Sequence, residues 1–230
     1  MCGRYTLNSA GDRIAEVFDL DQTPELTPRF NISPGQEAPV IRDASEVRSC
    51  GALHWGFAPH RKGERFLINA RSETVSEKPS FRSGFETRRC LVPATGFYEW
   101  RKNGPSRAPY HLRLKSGEIF AMAGIWRHRT DEPTDDKAPD AFVVMTTTAN
   151  RVVAIVHDRM PVILGRSDYD RWLDPSNQNP SDLAGLLRPL AGDLMESYPV
   201  SSFVNSAHNE GERCLEKVEE APVQRSLFEL

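Results

Sequence analysis

The sequence contains no apolar stretch that approaches the roughly 18 residues of a membrane-spanning helix. Its start also lacks the basic segment followed by an apolar one that marks a secretory signal. Because both features are absent, we expect a cytoplasmic protein. At 230 residues, with 39% hydrophobic and 27% charged residues, the chain is long enough to bury a substantial core.

Cysteine is scarce, and its spacing matches no common metal motif. The four cysteines, Cys2, Cys50, Cys90 and Cys214, lie far apart and form no CxxC pair. A zinc site built from them is therefore not expected, and a structural disulfide is disfavoured in the cytosol. The sequence carries no other motif for a metal or an organic cofactor, so we expect none to be bound.

Acidic residues are few in the middle of the chain, although the formal charge of the whole is −3. Between Arg48 and Lys115, fourteen Lys or Arg stand against five Glu, a net charge of +9 that leaves −12 for the remainder. This asymmetry favours a basic face that could hold a phosphate backbone. The alternative is a set of scattered charges that never converge.

Short apolar runs and alternating patterns predict an α+β fold that is rich in antiparallel sheet. Strands are predicted at 39–43, 50–57, 66–71, 90–93, 98–100, 110–114, 119–126, 141–148, 160–164 and 198–204. Helices are predicted at 11–20, 167–174 and 181–190, an irregular segment at 22–38 because of its three prolines, and a surface loop at 131–140. Since neither a repeat nor a linker is evident, we expect one barrel-like domain with peripheral helices over residues 1–222, and a tail at 223–230.

The chain begins Met1-Cys2-Gly3-Arg4, and removal of Met1 would leave Cys2 as the amino terminus. Cys2 would then carry an amine and a thiol on adjacent carbons, with ordinary pKa values of about 8 and about 8.5. Such an amine condenses with an aldehyde to a Schiff base, and the thiolate can close a thiazolidine ring on the same carbon. The alternative is an accidental cysteine in a disordered terminus.

Three further motifs place polar groups at or beside apolar strands. In Asn69-Ala70-Arg71, the two polar side chains share a face if the strand continues. In GFYEW at 96–100, apolar surroundings would raise the pKa of Glu99 and suit it to proton transfer. The third motif is His157-Asp158-Arg159. Each also has a structural interpretation: a turn-forming Asn69, an exposed Glu99 and a strand-end His157.

Six stretches of the sequence together form a recognisable ordered set. They are MCGR at the start, PRFNISPG near residue 30, LHWGFAP near 55, INARSET at 68–74, CLVPATGFYEW at 90–100 and VHDRMPVIL at 156–164. The set resembles the SRAP family (SOS response-associated peptidase domain), which includes the abasic-site shield proteins of bacteria and eukaryotes. Each stretch is weakly specific by itself, whereas their order is strongly specific.

The resemblance implies a DNA repair protein that binds single-stranded DNA, or a junction of single and double strand, and captures abasic sites covalently. The ring-opened sugar carries an aldehyde on which Cys2 would close, a lyase-type Schiff-base chemistry that shields the lesion. By its match to the family, Glu99 would shuttle protons, while His157 would help open the sugar and protonate its oxygen. Asn69 would orient Cys2 or the sugar. When on DNA, the protein would be nucleoid-associated.

The same resemblance implies the groups that hold the DNA backbone. Arg71 and Arg159 match the family's phosphate-gripping arginines, and we expect Arg4 to join them, because guanidinium forks suit phosphate oxygens.

Two other functions stay open. Cys2 with His157 as its base could make the protein a thiol peptidase, a hydrolase that acts on peptides or only on its own Met1 bond in an autocatalytic step. The basic segment could instead form a non-covalent single-strand DNA-binding module.

The tail carries a separate signal. Gln224, Leu227 and Phe228 fit a Q-x-x-L-F pattern that resembles bacterial sliding-clamp-binding peptides, which predicts the replication sliding clamp as a partner. The alternative is an amphipathic tail that packs on the domain.

Many family members place tryptophans shortly after the WG-x-x-P motif, where this chain has His60, Arg61 and Lys62. We expect these three residues to contact DNA by charge rather than by stacking. The affinity for single-stranded DNA should therefore fall more steeply with salt than that of a tryptophan-bearing relative. Equal slopes of log affinity against log salt for the two proteins would refute this.

Overall fold

The computed structural model describes residues 2–44, 47–58, 66–103, 106–128 and 140–219, which form thirteen strands and four α-helices. The strands are β1 (Tyr5–Leu7), β2 (Arg29–Ile32), β3 (Glu37–Ala44), β4 (Val47–Trp55), β5 (Asn69–Arg71), β6 (Arg89–Ala94), β7 (Gly96–Asn103), β8 (Ser106–Leu114), β9 (Phe120–Arg127), β10 (Ala141–Thr148), β11 (Arg159–Pro161), β12 (Ile163–Leu164) and β13 (Met195–Pro199). The helices are α1 (Gly11–Phe18), α2 (Pro79–Thr87), α3 (Tyr169–Leu173) and α4 (Pro180–Ala184).

The strands form two sheets, so the predicted α+β fold rich in antiparallel sheet is confirmed. The first sheet has the order β13-β8-β7-β1-β2, and the second has the order β11-β10-β4-β3-β6-β9-β12, with β5 beside β10. All strand pairs are antiparallel except β10 with β4 and β10 with β5. Because β9 also pairs with β10, five strands of the second sheet close into a ring. The barrel-like character is confined to that ring.

Several element boundaries differ from the sequence prediction. Within the supposedly irregular 22–38, Arg29–Ile32 forms β2 and pairs with β1, because the backbone there is extended between the restricting prolines. The helix expected at 181–190 is shortened to α4, and the strand expected at 198–204 begins earlier, as β13. Helix α2 was not predicted. Most of the surface loop expected at 131–140 lies outside the described residues.

One large apolar cluster lies between the sheets and includes the side chains of β1. The Tyr5 ring packs edge-on against the Trp55 ring, with 5.2 Å between the ring centroids, and Trp55 Nε1 donates to the Ile68 carbonyl at 2.9 Å. This contact ties the first sheet to the residue just before β5. A smaller cluster gathers Tyr98, Val204 and others under the carboxyl-terminal segment. In the described part of the chain, helices are all too short or too polar to cross a membrane.

The carboxyl-terminal segment is fastened to the amino end through Asn31, which is 1% exposed. Asn31 Nδ2 donates to the carbonyls of Ser206 at 2.9 Å and Asn209 at 2.7 Å. Its Oδ1 accepts from Arg4 Nη1 at 2.6 Å, and the same Nη1 donates to the Val204 carbonyl at 2.8 Å. The asparagine of the PRFN stretch is therefore a structural clamp between residues that are distant in sequence.

Asn31→Ala should lower the free energy of unfolding by about 1–3 kcal/mol, because it removes one of the two acceptors of Arg4 Nη1 and the side-chain donor to the carbonyls of Ser206 and Asn209. The measurement is urea denaturation. Asn8→Ala is the matched control: Asn8 is an exposed asparagine that accepts from the Thr95 hydroxyl, so its loss should cost less than about 0.5 kcal/mol. Equal costs for the two variants would refute the clamp.

Candidate active site

The pairing of β1 with β7 brings the amino end of the chain to the GFYEW segment. Tyr5 is paired with Phe97 and Thr6 with Gly96, and the Tyr98 amide donates to the Arg4 carbonyl at 2.9 Å. Continuing this antiparallel register leads towards Cys2 on one strand and Glu99 on the other. Cys2 is fully buried.

Glu99 lies in β7 with only 3% of its surface exposed. Burial raises its pKa from 4.5 to about 7, the positive amino terminus lowers it, and Asp158 raises it further. The expected rise in pKa is therefore present. Burial is its largest cause, and the adjacent Tyr98 and Trp100 side chains belong to the smaller apolar cluster.

The Cys2 thiol shares this environment. Burial raises its pKa well above the usual range, the negative charge of Glu99 raises it further, and the amino terminus lowers it. Its Sγ lies 4.0 Å from the Arg4 carbonyl, to which the thiol donates. The thiol is consequently neutral in the resting protein. A reaction that needs the thiolate must therefore have a base beside it.

His157 faces the same end of the chain. Burial lowers its pKa, and the positive amino terminus lowers it further. Its Nδ1 accepts from the Arg159 amide at 3.0 Å, while Asp158 Oδ1 lies 2.9 Å from the same nitrogen. In a neutral ring, Nδ1 cannot both accept a hydrogen bond from the Arg159 amide and donate one to the Asp158 carboxylate. Because burial favours the neutral form and the backbone amide is a fixed donor, we assign Nδ1 as acceptor and place the ring proton on Nε2.

The register around β10 puts the other predicted residues on one face. Arg71 is opposite Thr146 in the parallel pair, and Arg159 is opposite Thr148 in the antiparallel pair. Residues two apart on a strand share a face, so Asn69, Arg71 and Arg159 all point to the same side. The Asn69 amide is notable because both Oδ1 and Nδ2 are buried without a hydrogen-bond partner in the described structure. Such a group is costly unless a ligand pairs with it.

The predicted DNA-binding residues differ in how far their side chains are already engaged. Arg71 is exposed. Arg159 makes a bidentate ion pair with Glu73. Arg4 is half-buried and bonded to Asn31 and the Val204 carbonyl, and its guanidinium lies 5.7 Å from the Trp100 ring.

The remaining predicted contacts cannot be located. His60, Arg61 and Lys62, and the tail residues Gln224, Leu227 and Phe228, lie outside the described residues. Their roles stay predictions.

The +9 segment does not all contribute to one basic face. Arg89 is 3% exposed and donates to the carbonyls of Trp172 at 2.5 Å and Phe85 at 2.7 Å. Arg48 is paired with Asp43 and Asp170. Formal charge along a sequence counts these arginines equally with exposed ones, and the structure assigns them to the interior or to ion pairs.

His111 is a residue that sequence reasoning missed. It is buried in β8, with Nδ1 3.0 Å from the Tyr198 hydroxyl and Nε2 3.3 Å from Thr6 Oγ1. The Thr6 hydroxyl donates to the Gly96 carbonyl, so its oxygen accepts from Nε2–H. Burial lowers the pKa of His111 to about 3, which agrees with a neutral ring. The ring packs so closely that a Cβ on Gly96 would collide with it.

Comparison with known proteins agrees with this architecture. The sequence matches the family described as SOS response associated peptidase (SRAP) over residues 1–207. It is 41% identical over 225 residues to the abasic site processing protein YoqW of Bacillus subtilis, covering 94% of this chain and 99% of YoqW. It is 26% identical to the abasic site processing protein YedK of Escherichia coli, covering 95% and 100% of the two chains. A solved structure from Bacteroides thetaiotaomicron shares the fold, with a TM-score of 0.78 at 24% identity, covering 95% of this chain and 100% of that one.

Glu99→Gln should change how stability depends on pH. With a folded-state pKa of about 7 against an ordinary 4.5, the folded protein binds more protons than the unfolded one between these values. The contribution of Glu99 to stability therefore falls as pH rises through that window. The free energy of unfolding of Glu99→Gln minus that of the wild type should grow by on the order of 1–3 kcal/mol between pH 4.5 and 8.

Urea denaturation at several pH values measures this difference. Glu77→Gln, which removes an exposed carboxylate, is the control and should give a nearly constant difference. A constant difference for Glu99→Gln as well would contradict the raised pKa.

Proposed function

This chain belongs to the SOS response associated peptidase (SRAP) family, and we propose that it processes abasic sites in DNA, the activity that the names of YoqW and YedK state for those relatives. In this proposal, Cys2, freed by removal of Met1, captures the ring-opened sugar of single-stranded DNA as a thiazolidine. The observation that carries the proposal is the burial of the Cys2 thiol beside a carboxyl group whose pKa is about 7.

The raised pKa of the thiol indicates the order of steps. The amine of Cys2 attacks the aldehyde carbon first and forms a carbinolamine, which loses water to give an imine. The thiol then adds across the C=N bond: sulfur bonds to carbon, and the thiol proton is transferred to nitrogen. One water is released overall, and no oxidant or reductant is needed.

Glu99 is suited to the proton transfers in both steps. A carboxyl with a pKa near 7 is present in both forms at neutral pH, so it can protonate the leaving hydroxyl and later accept the thiol proton. Its buried position also keeps bulk water from competing for these protons. In the proposed order, the same group acts as acid and then as base.

His157 and Asn69 would act on the sugar. With its proton on Nε2, the neutral His157 ring can donate to the ring oxygen of the sugar as it opens. Asn69 offers a buried amide with both atoms unpaired, which suits it to hold a sugar hydroxyl or the amine of Cys2. Arg71 would hold a backbone phosphate on the same face.

A thiol peptidase is the less favoured alternative. The attacking species in such an enzyme is the thiolate, which ordinarily requires a lowered cysteine pKa. Here burial and the Glu99 charge both raise it. An amine that reacts first does not have this requirement, which favours aldehyde capture.

Single-stranded DNA in which uracil has been excised should give a heat-stable adduct with the wild-type protein on a denaturing gel. Cys2→Ala retains an amine, so it should give strand scission and a Schiff base trapped only by borohydride. Glu99→Gln should slow adduct formation at least about tenfold, within the usual contribution of a general acid–base group, while binding of intact single strands stays near the wild-type value.

Two controls sharpen this experiment. A tag that blocks the amino terminus should abolish the adduct, and mass determination of the mature terminus should find Cys2 first. A durable unreduced adduct with Cys2→Ala would refute the thiazolidine. Cleavage of a peptide without DNA would favour the peptidase alternative, and strand binding without any adduct would favour a non-covalent binding module.

A further inference from the structure

In the free protein, the guanidinium of Arg159 is already paired with a carboxylate of the same chain. Nη1 donates to Glu73 Oε1 at 2.5 Å, and Nη2 donates to Glu73 Oε2 at 2.9 Å. Two parallel N–H···O bonds are also the arrangement in which a guanidinium holds two oxygens of a phosphate. Glu73 therefore presents to Arg159 the same pair of acceptors that a DNA phosphate would present.

The exposure of the two partners indicates which one covers the other. The Arg159 side chain is 13% exposed, whereas the Glu73 side chain is 45% exposed. Nη2 of Arg159 also donates to the Thr146 carbonyl at 2.7 Å, so the inner side of the guanidinium is fixed to β10. Glu73 thus occupies the outer side, the one from which a ligand would approach.

We propose that Glu73 is an internal stand-in for a DNA phosphate: it holds the Arg159 fork in the free protein and is displaced when the DNA backbone binds. This inference rests on the proposed function, because it takes the face with Arg71 and Arg159 as the one that meets DNA. It also gives the pair a role in the free protein, since Glu73 keeps the Arg159 guanidinium oriented.

The exchange conserves charge at the fork. A phosphodiester and a carboxylate each carry one negative charge, so Arg159 keeps a single anionic partner before and after binding. Partly exposed ion pairs contribute little net stability, so Glu73 should reduce the affinity for DNA modestly rather than block binding. Glu73 therefore sets the affinity of this face for the backbone and keeps Arg159 oriented for it.

Affinity is best measured with a single-stranded oligonucleotide that carries a tetrahydrofuran abasic analogue, since this probe has no aldehyde and cannot react. Fluorescence anisotropy at fixed salt should give a Kd for Glu73→Gln that is about two- to fivefold tighter than that of the wild type, the range expected from loss of such a pair. Glu73→Asp, which keeps the charge on a shorter side chain, should fall between the two.

Removing any negative charge near DNA tightens binding to some extent, so two comparisons isolate the fork. Glu77→Gln makes the same charge change in the same turn and should tighten binding less than Glu73→Gln does. In an Arg159→Gln background, which removes the guanidinium that Glu73 binds, Glu73→Gln should tighten binding no more than Glu77→Gln does. Thermal unfolding of each variant establishes that it is folded.

The inference is overturned if Glu73→Gln binds no more tightly than Glu77→Gln, or if its full gain survives in the Arg159→Gln background. Different results refute the phosphate stand-in and the covalent chemistry. A wild-type adduct without any gain from Glu73→Gln refutes only the phosphate stand-in, whereas a gain without any wild-type adduct refutes only the covalent chemistry.

Discussion

The pairing of the first strand with the strand that carries Glu99 is the constraint on which the rest of the site depends. Chain termini usually fray, because few contacts hold them. Here β1 lies inside a sheet, between β2 and β7, and its side chains belong to the main apolar core. The register therefore fixes a chain end beside a buried carboxyl group, where a terminal amine and thiol would otherwise be mobile. Asn31 and the carboxyl-terminal segment hold this end from the other side.

A single physical effect, the loss of hydration, acts on three groups of the site and moves each towards its neutral form. Burial raises the pKa of the Cys2 thiol and of Glu99, and it lowers the pKa of His157. Of the three, Glu99 has a pKa near 7 and can therefore give up or accept a proton at neutral pH, whereas burial keeps the Cys2 thiol and the His157 ring in their neutral forms. In the proposed function, proton transfer falls to the buried Glu99, whereas the exposed Arg71 holds the DNA backbone.

The sequence was sufficient for the fold class and for most strands, because alternating and apolar runs report directly on burial. Prediction from the sequence failed for features that depend on contacts between residues distant in the chain. Helix α2 contains only two large apolar residues, Phe81 and Phe85, although their spacing and Pro79 at the first position were usable signals. Arg29–Ile32 pairs as a strand with β1, because the flanking prolines keep its backbone extended. The ordered motifs indicated Cys2 and Glu99, but no pattern could reveal that Glu73 fills the Arg159 fork, since that depends on side chains from separate elements.

The contact between His111 and Gly96 has a consequence for how sequences of this fold can diverge. The imidazole occupies the volume that any larger residue at position 96 would need, and the threonine and tyrosine hydroxyls hold the ring in place. The two positions are therefore coupled: a Cβ at position 96 would collide with His111 Nε2 and would lie 3.0 Å from the Leu112 carbonyl oxygen. A side chain at 96 consequently requires both a smaller residue at 111 and a small shift of the strand that carries it.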